Sequence, residues 1–182
     1  MIEIVTEAPG DAPAIEVLLD DAFGPNRRMK TAERLREGRR PADGLALVAR
    51  DGVRLVGTIR LWHVDAGGRP ALLLGPVAVR CQWQSRGIGA TLIRASVARA
   101  RDHGHGAVIL VGDAPYYGRF GFEREPVLDL AMPGPVELER FLGLELQPGA
   151  LEGASGIVTA TGVLSGVSHA PADARPLIAA AL

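Results

Sequence analysis

A proline interrupts the most apolar stretch of the chain. Ala71-Leu-Leu-Leu-Gly-Pro-Val-Ala-Val79 is an almost unbroken hydrophobic run between the turn residues Ala66-Gly67-Gly68 and a polar segment, Arg80–Arg86. A run of that length and composition reads as a central, buried strand. Proline has no amide hydrogen for a ladder, and within sheets it is confined to edges, strand starts and bulges. The two readings are reconciled if the strand is bulged or splayed near Pro76. The backbone groups of Val77 to Val79 are then free to bind a ligand through strand-like hydrogen bonds.

The flanking sequence supplies the rest of a mixed α/β domain. Ile2–Thr6 reads as an opening strand, and Pro9-Gly10 breaks the chain. Asp11 offers an N-cap for a helix whose apolar residues Ile15, Leu18, Leu19, Ala22 and Phe23 recur at helical spacing. Gly24-Pro25-Asn26 ends it, and a second, polar helix is expected from Thr31 to about Arg39. Leu45–Arg50 and Val53–Asp65 form a hairpin about Asp51-Gly52. After the proline-bearing strand, Ile88, Leu92, Ile93 and Ala95 carry a helix that ends near Gly104-His105-Gly106. Ala107–Val111 is a buried strand, followed by a short helix around Tyr116–Phe120. Alternating Leu142, Leu144 and Leu146 predict a further strand, and Gly156–Thr161 another. The order indicates one α/β domain with a mixed sheet. Residues 1–162 are read as this domain and 163–182 as a C-terminal tail on which no structure is forced.

The junction after Val79 carries the chemistry. Gly87 and Gly89 let the backbone come close to a ligand, and the free amides of the following helix start favour anions, phosphates above all. Arg86 and Arg80 add positive charge there. The dinucleotide fingerprint fails because Leu92 stands where its third glycine belongs, and a Walker loop fails because Lys30 is the sole lysine. A groove of strand amides leading into a phosphate-binding helix start suits an amide-bearing arm joined to a pyrophosphate, as in coenzyme A.

These residues carry a family resemblance. Gly75-Pro-Val-Ala-Val79 with Gln84-Ser-Arg-Gly-Ile-Gly89 resembles the acetyl-CoA-binding motif of the GNAT-family N-acetyltransferases, Q/R-x-x-G-x-G/A. Tyr116-Tyr-Gly-Arg-Phe-Gly-Phe122 is similar to that family's aromatic-Tyr-x-x-x-Gly-Phe block. The resemblance covers Ile2 to Phe122, and the sixty residues after it are similar in outline to the YhbS-like branch. It implies a mostly antiparallel mixed sheet flanked by helices, splayed at its central strands, with a C-terminal β extension. It also implies direct transfer of acetyl from acetyl-CoA, a cosubstrate, to an amine. Gln84, Ser85, Arg86, Gly87, Ile88, Gly89 and Ala90 would cradle the pyrophosphate. Backbone of Val77, Ala78 and Val79 would bind pantetheine, one N–H polarising the thioester carbonyl, and Tyr117 would protonate the departing thiolate.

The general base stays open among Glu33, His63, Asp65 and Asp113, since Leu72–Val79 contains no acidic residue. That gap sustains an alternative, a non-catalytic CoA-binding sensor or scaffold. A third reading, a cysteine hydrolase, would pair Cys81 with His63. Tyr116 is read as structural, and Trp62 and Trp83 as core or rim, with lining of the ligand cleft as the alternative. The cluster Arg27, Arg28, Arg34, Arg36, Arg39 and Arg40 is read as solvated surface, although in the family this region adjoins the acceptor site, which admits an acidic substrate. One cysteine and four scattered histidines argue against a metal site. A net charge of −1 argues against a broad nucleic-acid surface. No apolar run approaches the ~20 residues of a membrane span and the first residues do not resemble a signal peptide, so a cytoplasmic protein is expected. The expected partner is a small-molecule or peptide amine, with no nucleic acid and no membrane; a homodimer is left open.

Overall fold

The computed structural model of the chain describes residues 1–166. Leu177–Leu182 and most of the 163–182 tail lie outside these residues. A seven-stranded sheet forms the frame, in the order β1 (Ile2–Thr6), β2 (Ala46–Asp51), β3 (Arg54–Asp65), β4 (Pro70–Val79), β5 (Ala107–Val111) and β7 (Phe141–Glu145). The seventh, β9 (Thr159–Ala160), pairs with β3 at Val64 and Asp65, beyond the point where β2 ends. Every pairing in this sheet is antiparallel except β4 with β5. A small parallel pair, β6 (Leu130–Ala131) with β8 (Gly156–Ile157), stands apart.

Alternation along the strands sends side chains to two faces, each with its own cover. Helix α2 (Ile88–Asp102) lays Ile88, Leu92, Ile93 and Ala100 on Leu47, Ala49, Ile59, Leu72 and Val108. On the other face α1 (Ala12–Phe23) packs Ile15, Leu18 and Leu19 against Val48, Leu55 and Ala78. Beyond α1, Trp62, Val64, Leu73 and Ile109 are covered by Leu35, Val127 and Val158 from the connecting segments and by Phe141 of β7. Each fully buried Leu, Ile or Phe contributes roughly 1.5–3 kcal/mol, so these faces set the register of every strand that bears them.

Two expectations are corrected. The segment expected as a helix from Thr31 to Arg39 holds only a 3₁₀ turn, Thr31–Leu35, whose residues do not continue as an α-helix. The turn is pinned by distant backbone: Thr31 Oγ1 donates to the Pro135 carbonyl at 2.7 Å and Arg34 Nη1 to that of Pro133 at 2.7 Å. Asp11 stands at the start of α1 but does not cap it. Its carboxylate accepts the Ala8 amide at 2.9 Å and pairs with Arg50 on β2. The Ala8 hydrogen bond, aided by Arg50 and opposed by burial, holds the Asp11 carboxyl below its ordinary value of 3.8. A depressed folded pKa stabilises the protein above the unfolded value and is lost as pH falls through the folded one. Asp11→Asn should therefore cost about 1–2 kcal/mol at pH 7. Denaturant midpoints of the variant should approach those of the parent as pH drops below about 4.

Candidate active site

The strand with the proline opens the sheet as its sequence requires. Ile59 pairs with Val77 and Leu61 with Leu74, so Gly75 and Pro76 together face Arg60 in a bulge. The Gly75–Pro76 peptide is cis, and Gly75 takes φ +129°, a conformation that favours glycine. The Trp62 indole donates to the Gly75 carbonyl at 2.6 Å and holds the bulge from the α1 side. On its other edge β4 pairs with β5 only at Leu72 and Leu73, leaving everything from the bulge onward unpaired on that side.

The register decides which amides face this gap. The Arg80 amide donates to the Val56 carbonyl at 2.9 Å, and pairs alternate along an antiparallel ladder. Ala78 therefore exchanges its backbone bonds with Thr58, while the backbone groups of Val77 and Val79 point into the opening toward β5. Of the three predicted pantetheine contacts, Val77 and Val79 have free amides and Ala78 contributes position. The Val79 carbonyl accepts from Gln84 Nε2 at 3.0 Å, which ties the predicted phosphate loop to the strand end.

That loop makes a turn, Cys81–Trp83, and enters α2 through two left-handed residues, Ser85 at φ +59° and Gly87 at φ +80°. The Thr91 amide bonds the Gly87 carbonyl at 2.9 Å, so the amides of Ile88, Gly89 and Ala90 precede the first intrahelical bond and are unspent. Arg86 is exposed beside them, its guanidinium 5.0 Å from the Trp83 ring centroid. Gln84 through Ala90 thus form one cradle of donors and positive charge next to the Val77–Val79 backbone.

Across the opening stands α3 (Ala114–Gly118), capped by Asp113, whose carboxylate accepts the Tyr116 amide at 3.0 Å. Tyr116 reaches the cradle: a Cβ on Gly89 would stand 3.3 Å from its hydroxyl and 3.8 Å from Val79 Cγ2. Tyr117 turns inward, edge-on to Phe122 at 5.9 Å and against Gly112. A Cβ on Gly112 would lie 2.2 Å from Tyr117 Cε2, so only glycine leaves room for the ring. Burial, with Tyr116 beside it and Arg140 opposing, pushes the Tyr117 phenol up to about 12. It is therefore a protonated donor across the physiological range.

The base candidates separate by location. Asp113 is committed to its cap, and Asp65 accepts the Gly68 amide at 2.8 Å in a turn. His63 packs 5.4 Å from His105 near the far end of β3. Glu33 pairs with Arg36 at 2.9 Å, and Arg36 Nη1 stands 3.8 Å from the Cβ position of Gly75, so this carboxylate alone of the four adjoins the bulge. The pairing of Cys81 with His63 is excluded by the sheet. Cys81 follows Arg80, opposite Val56, and His63 is seven residues further along β3, roughly 20 Å at the strand rise.

The arginine cluster is not uniformly solvated surface. Arg27 is 7% exposed, held by Glu16 and Asp20, and the Arg36 side chain is 9% exposed. Their burial was unreadable locally because the covering groups come from other elements. Arg60, opposite the bulge, and Gly112, beneath the Tyr117 ring, were not singled out in the sequence, whereas Trp62 was read there as core or rim. Of Arg60 and Gly112 only the second, a glycine between a buried strand and the aromatic block, left a trace. Among the described residues no group of three or more His, Cys, Asp or Glu side chains is arranged to hold a metal ion, and no helix is long and apolar enough to cross a membrane.

Comparison with known proteins agrees with this geometry. The model of the acetyltransferase (GNAT) family matches residues 12–122. The uncharacterized N-acetyltransferase YhbS of Escherichia coli K12 is 32% identical over 161 residues, covering 85% of this chain and 93% of its own. The crystal structure of E. coli YhbS in complex with CoA superposes with a TM-score of 0.73 at 30% identity, over 88% of this chain and 89% of that one. A GNAT-family acetyltransferase from Brucella melitensis in complex with acetyl-CoA matches with a TM-score of 0.62 at 29% identity, covering 81% and 90%. On its motifs, its splayed sheet and these relatives, the chain belongs to the GNAT acetyltransferase family.

Proposed function

We propose that the protein transfers acetyl from acetyl-CoA directly to an amine, in the opening between β4 and β5. The observation that carries this reading is the coincidence of three features at one gap. They are the Val77 and Val79 amides facing into it, a cradle of unspent helix-start amides at one end, and α3 across from them, whose Tyr117 phenol is protonated beside the end of β5 at Gly112. The residues fit acetyl-CoA: Gln84 to Ala90 hold the pyrophosphate, and Val77 and Val79 hold the pantetheine amides with Ala78 between them. Two similar solved structures hold CoA or acetyl-CoA, which supports the choice of ligand.

The chemistry follows from the chain's own groups. A strand amide donates to the thioester oxygen and stabilises the charge that grows there as the amine attacks. The C–N bond forms and the C–S bond breaks. The amine proton passes to a carboxylate, for which Glu33 is best placed, and the Tyr117 proton goes to the departing sulfur. The acetylated amine and CoA leave. Cytoplasmic operation and a small-molecule or peptide acceptor belong to the same proposal.

The test is a panel of primary amines incubated with acetyl-CoA, with acetylated products identified by mass spectrometry. The proposal expects product that depends on both substrates and a Cys81→Ala variant as active as the parent. Thermal stabilisation by acetyl-CoA with no product from any amine would instead leave a CoA-binding sensor. Loss of turnover in Cys81→Ala would contradict direct transfer and point to a nucleophilic Cys81 acting without His63.

A further inference from the structure

One charge beside the bulge lacks the partners its burial demands. Arg36 follows the 3₁₀ turn Thr31–Leu35, and its side chain is more than nine-tenths buried. A guanidinium has five N–H donors, and a buried one left unpaired is costly. Its charged contact among the described residues is Nη2 to Glu33 Oε2 at 2.9 Å. Nε is shielded from solvent with no hydrogen-bond partner. Nη1 points toward the bulge, 3.8 Å from the Cβ position of Gly75.

Neighbouring arginines show that this is not the habit of the region. Arg60 grips Glu7 with two hydrogen bonds of 2.8 and 2.7 Å, and Arg27 is held by both Glu16 and Asp20. Burial, opposed by Glu33 and aided by those two charges, pushes the Arg36 pKa down. The spot is therefore short of negative charge, on the side of the sheet opposite α2 and next to the expected reaction centre.

We propose that Arg36 receives the carboxylate of the acceptor, so that the substrate is a primary amine bearing a carboxylate close to its nitrogen, as an amino acid does. This rests on the acetyltransferase reading given above. The planar guanidinium fork matches a carboxylate with two parallel hydrogen bonds. Glu33, adjacent to it, is matched to the substrate ammonium. A pair of opposite charges this close is complementary to a zwitterion whose own charges are separated by one or two carbons. Binding replaces one poorly supplied ion pair by two and gives the stranded Arg36 donors their acceptor. A phosphate dianion suits the site less well, because Glu33 would repel its second charge.

The experiment compares amino acids with their own carboxamides, in which the amine is kept and the carboxylate is neutralised. The carboxamide amine is the less basic of the two, so an unguided reaction favours the carboxamide. The wild-type enzyme should prefer the amino acid in kcat/KM by about 10- to 100-fold, the worth of a charge-assisted pair. In Arg36→Gln and Arg36→Met the ratio should fall to about one or below, while the KM for acetyl-CoA holds steady. A second readout needs no turnover. With CoA present, amino acids should raise the Tm of the wild type and not of Arg36→Met. Equal use of both acceptors by the wild type, or a preference that survives both variants, would overturn the proposal. Acetylation of carboxamides only would remove the carboxylate site and leave acetyl transfer standing. Protection by amino acids without turnover on any amine would keep the site and remove the catalytic reading.

Discussion

Tyr117→Phe should lower kcat by about 10²–10³-fold while leaving the KM for acetyl-CoA within a factor of about two. The ring is held by Phe122, Tyr116 and the space above Gly112, and none of these contacts uses the hydroxyl. The variant therefore keeps the fold and loses only the proton that accompanies the leaving thiolate. The phenol sits at about 12, raised by burial. An alkaline fall in kcat from its ionisation is thus expected only near that value, well above the range in which an exposed tyrosine titrates. Stability gives an independent check with a definite sign. A folded pKa raised above the unfolded value of 10.0 contributes stability at lower pH that is lost as pH rises from about 10 to about 12. Denaturation of wild type and Tyr117→Phe over that interval should show the parent weakening more steeply.

The second large effect is expected at the other end of the groove. Gly87→Asp should weaken acetyl-CoA binding by about 100-fold or more, measured by calorimetry, with little change in far-ultraviolet circular dichroism. Nothing lies within 4 Å of a Cβ built on Gly87, so the substitution meets no clash. Its φ of +80° costs about 1 kcal/mol, and aspartate tolerates that region better than most residues and is a natural helix cap. The helix survives. The new carboxylate, however, occupies the mouth of the cradle where the amides of Ile88 to Ala90 await a pyrophosphate, and it both repels the ligand and takes up the donors. Gly87→Ala, with the same backbone and no charge, should lose far less affinity. Equal losses in the two variants would show that backbone conformation rather than the anion site controls binding.

The parts of this site that were legible in the sequence are those whose cause is local. Pro76 cannot serve a ladder, and that alone predicted the bulge and the opened edge of β4. Ala107–Val111 was read to its ends because a short apolar run lies between Gly104-His105-Gly106 and Gly112-Asp113. The hairpin followed from the turn chemistry of Asp51-Gly52, although the turn itself is one residue later, at Gly52-Val53. What sequence could not show depends on groups far along the chain. Thr31 and Arg34 are fixed by carbonyls of Pro135 and Pro133, and Arg39 by that of Gly162, so a stretch poor in apolar residues is ordered without becoming an α-helix. Arg27 and Arg36 looked like solvated charge because Glu16, Asp20 and the Gly75 bulge lie on other elements. Strand β6 has two residues, too few to carry a period, and the single strand expected over Gly156–Thr161 is two short ones, β8 and β9, in different sheets.

The most direct test of acetyl transfer in the opened sheet is an initial-rate matrix, in which CoA release is measured while acetyl-CoA and an accepted amine are both varied. Direct attack within one complex predicts double-reciprocal lines that intersect, with unmodified protein recovered after incubation with acetyl-CoA alone. Parallel lines, together with a protein that carries an acetyl group after that incubation, would contradict the account and move the chemistry to a nucleophile on the chain.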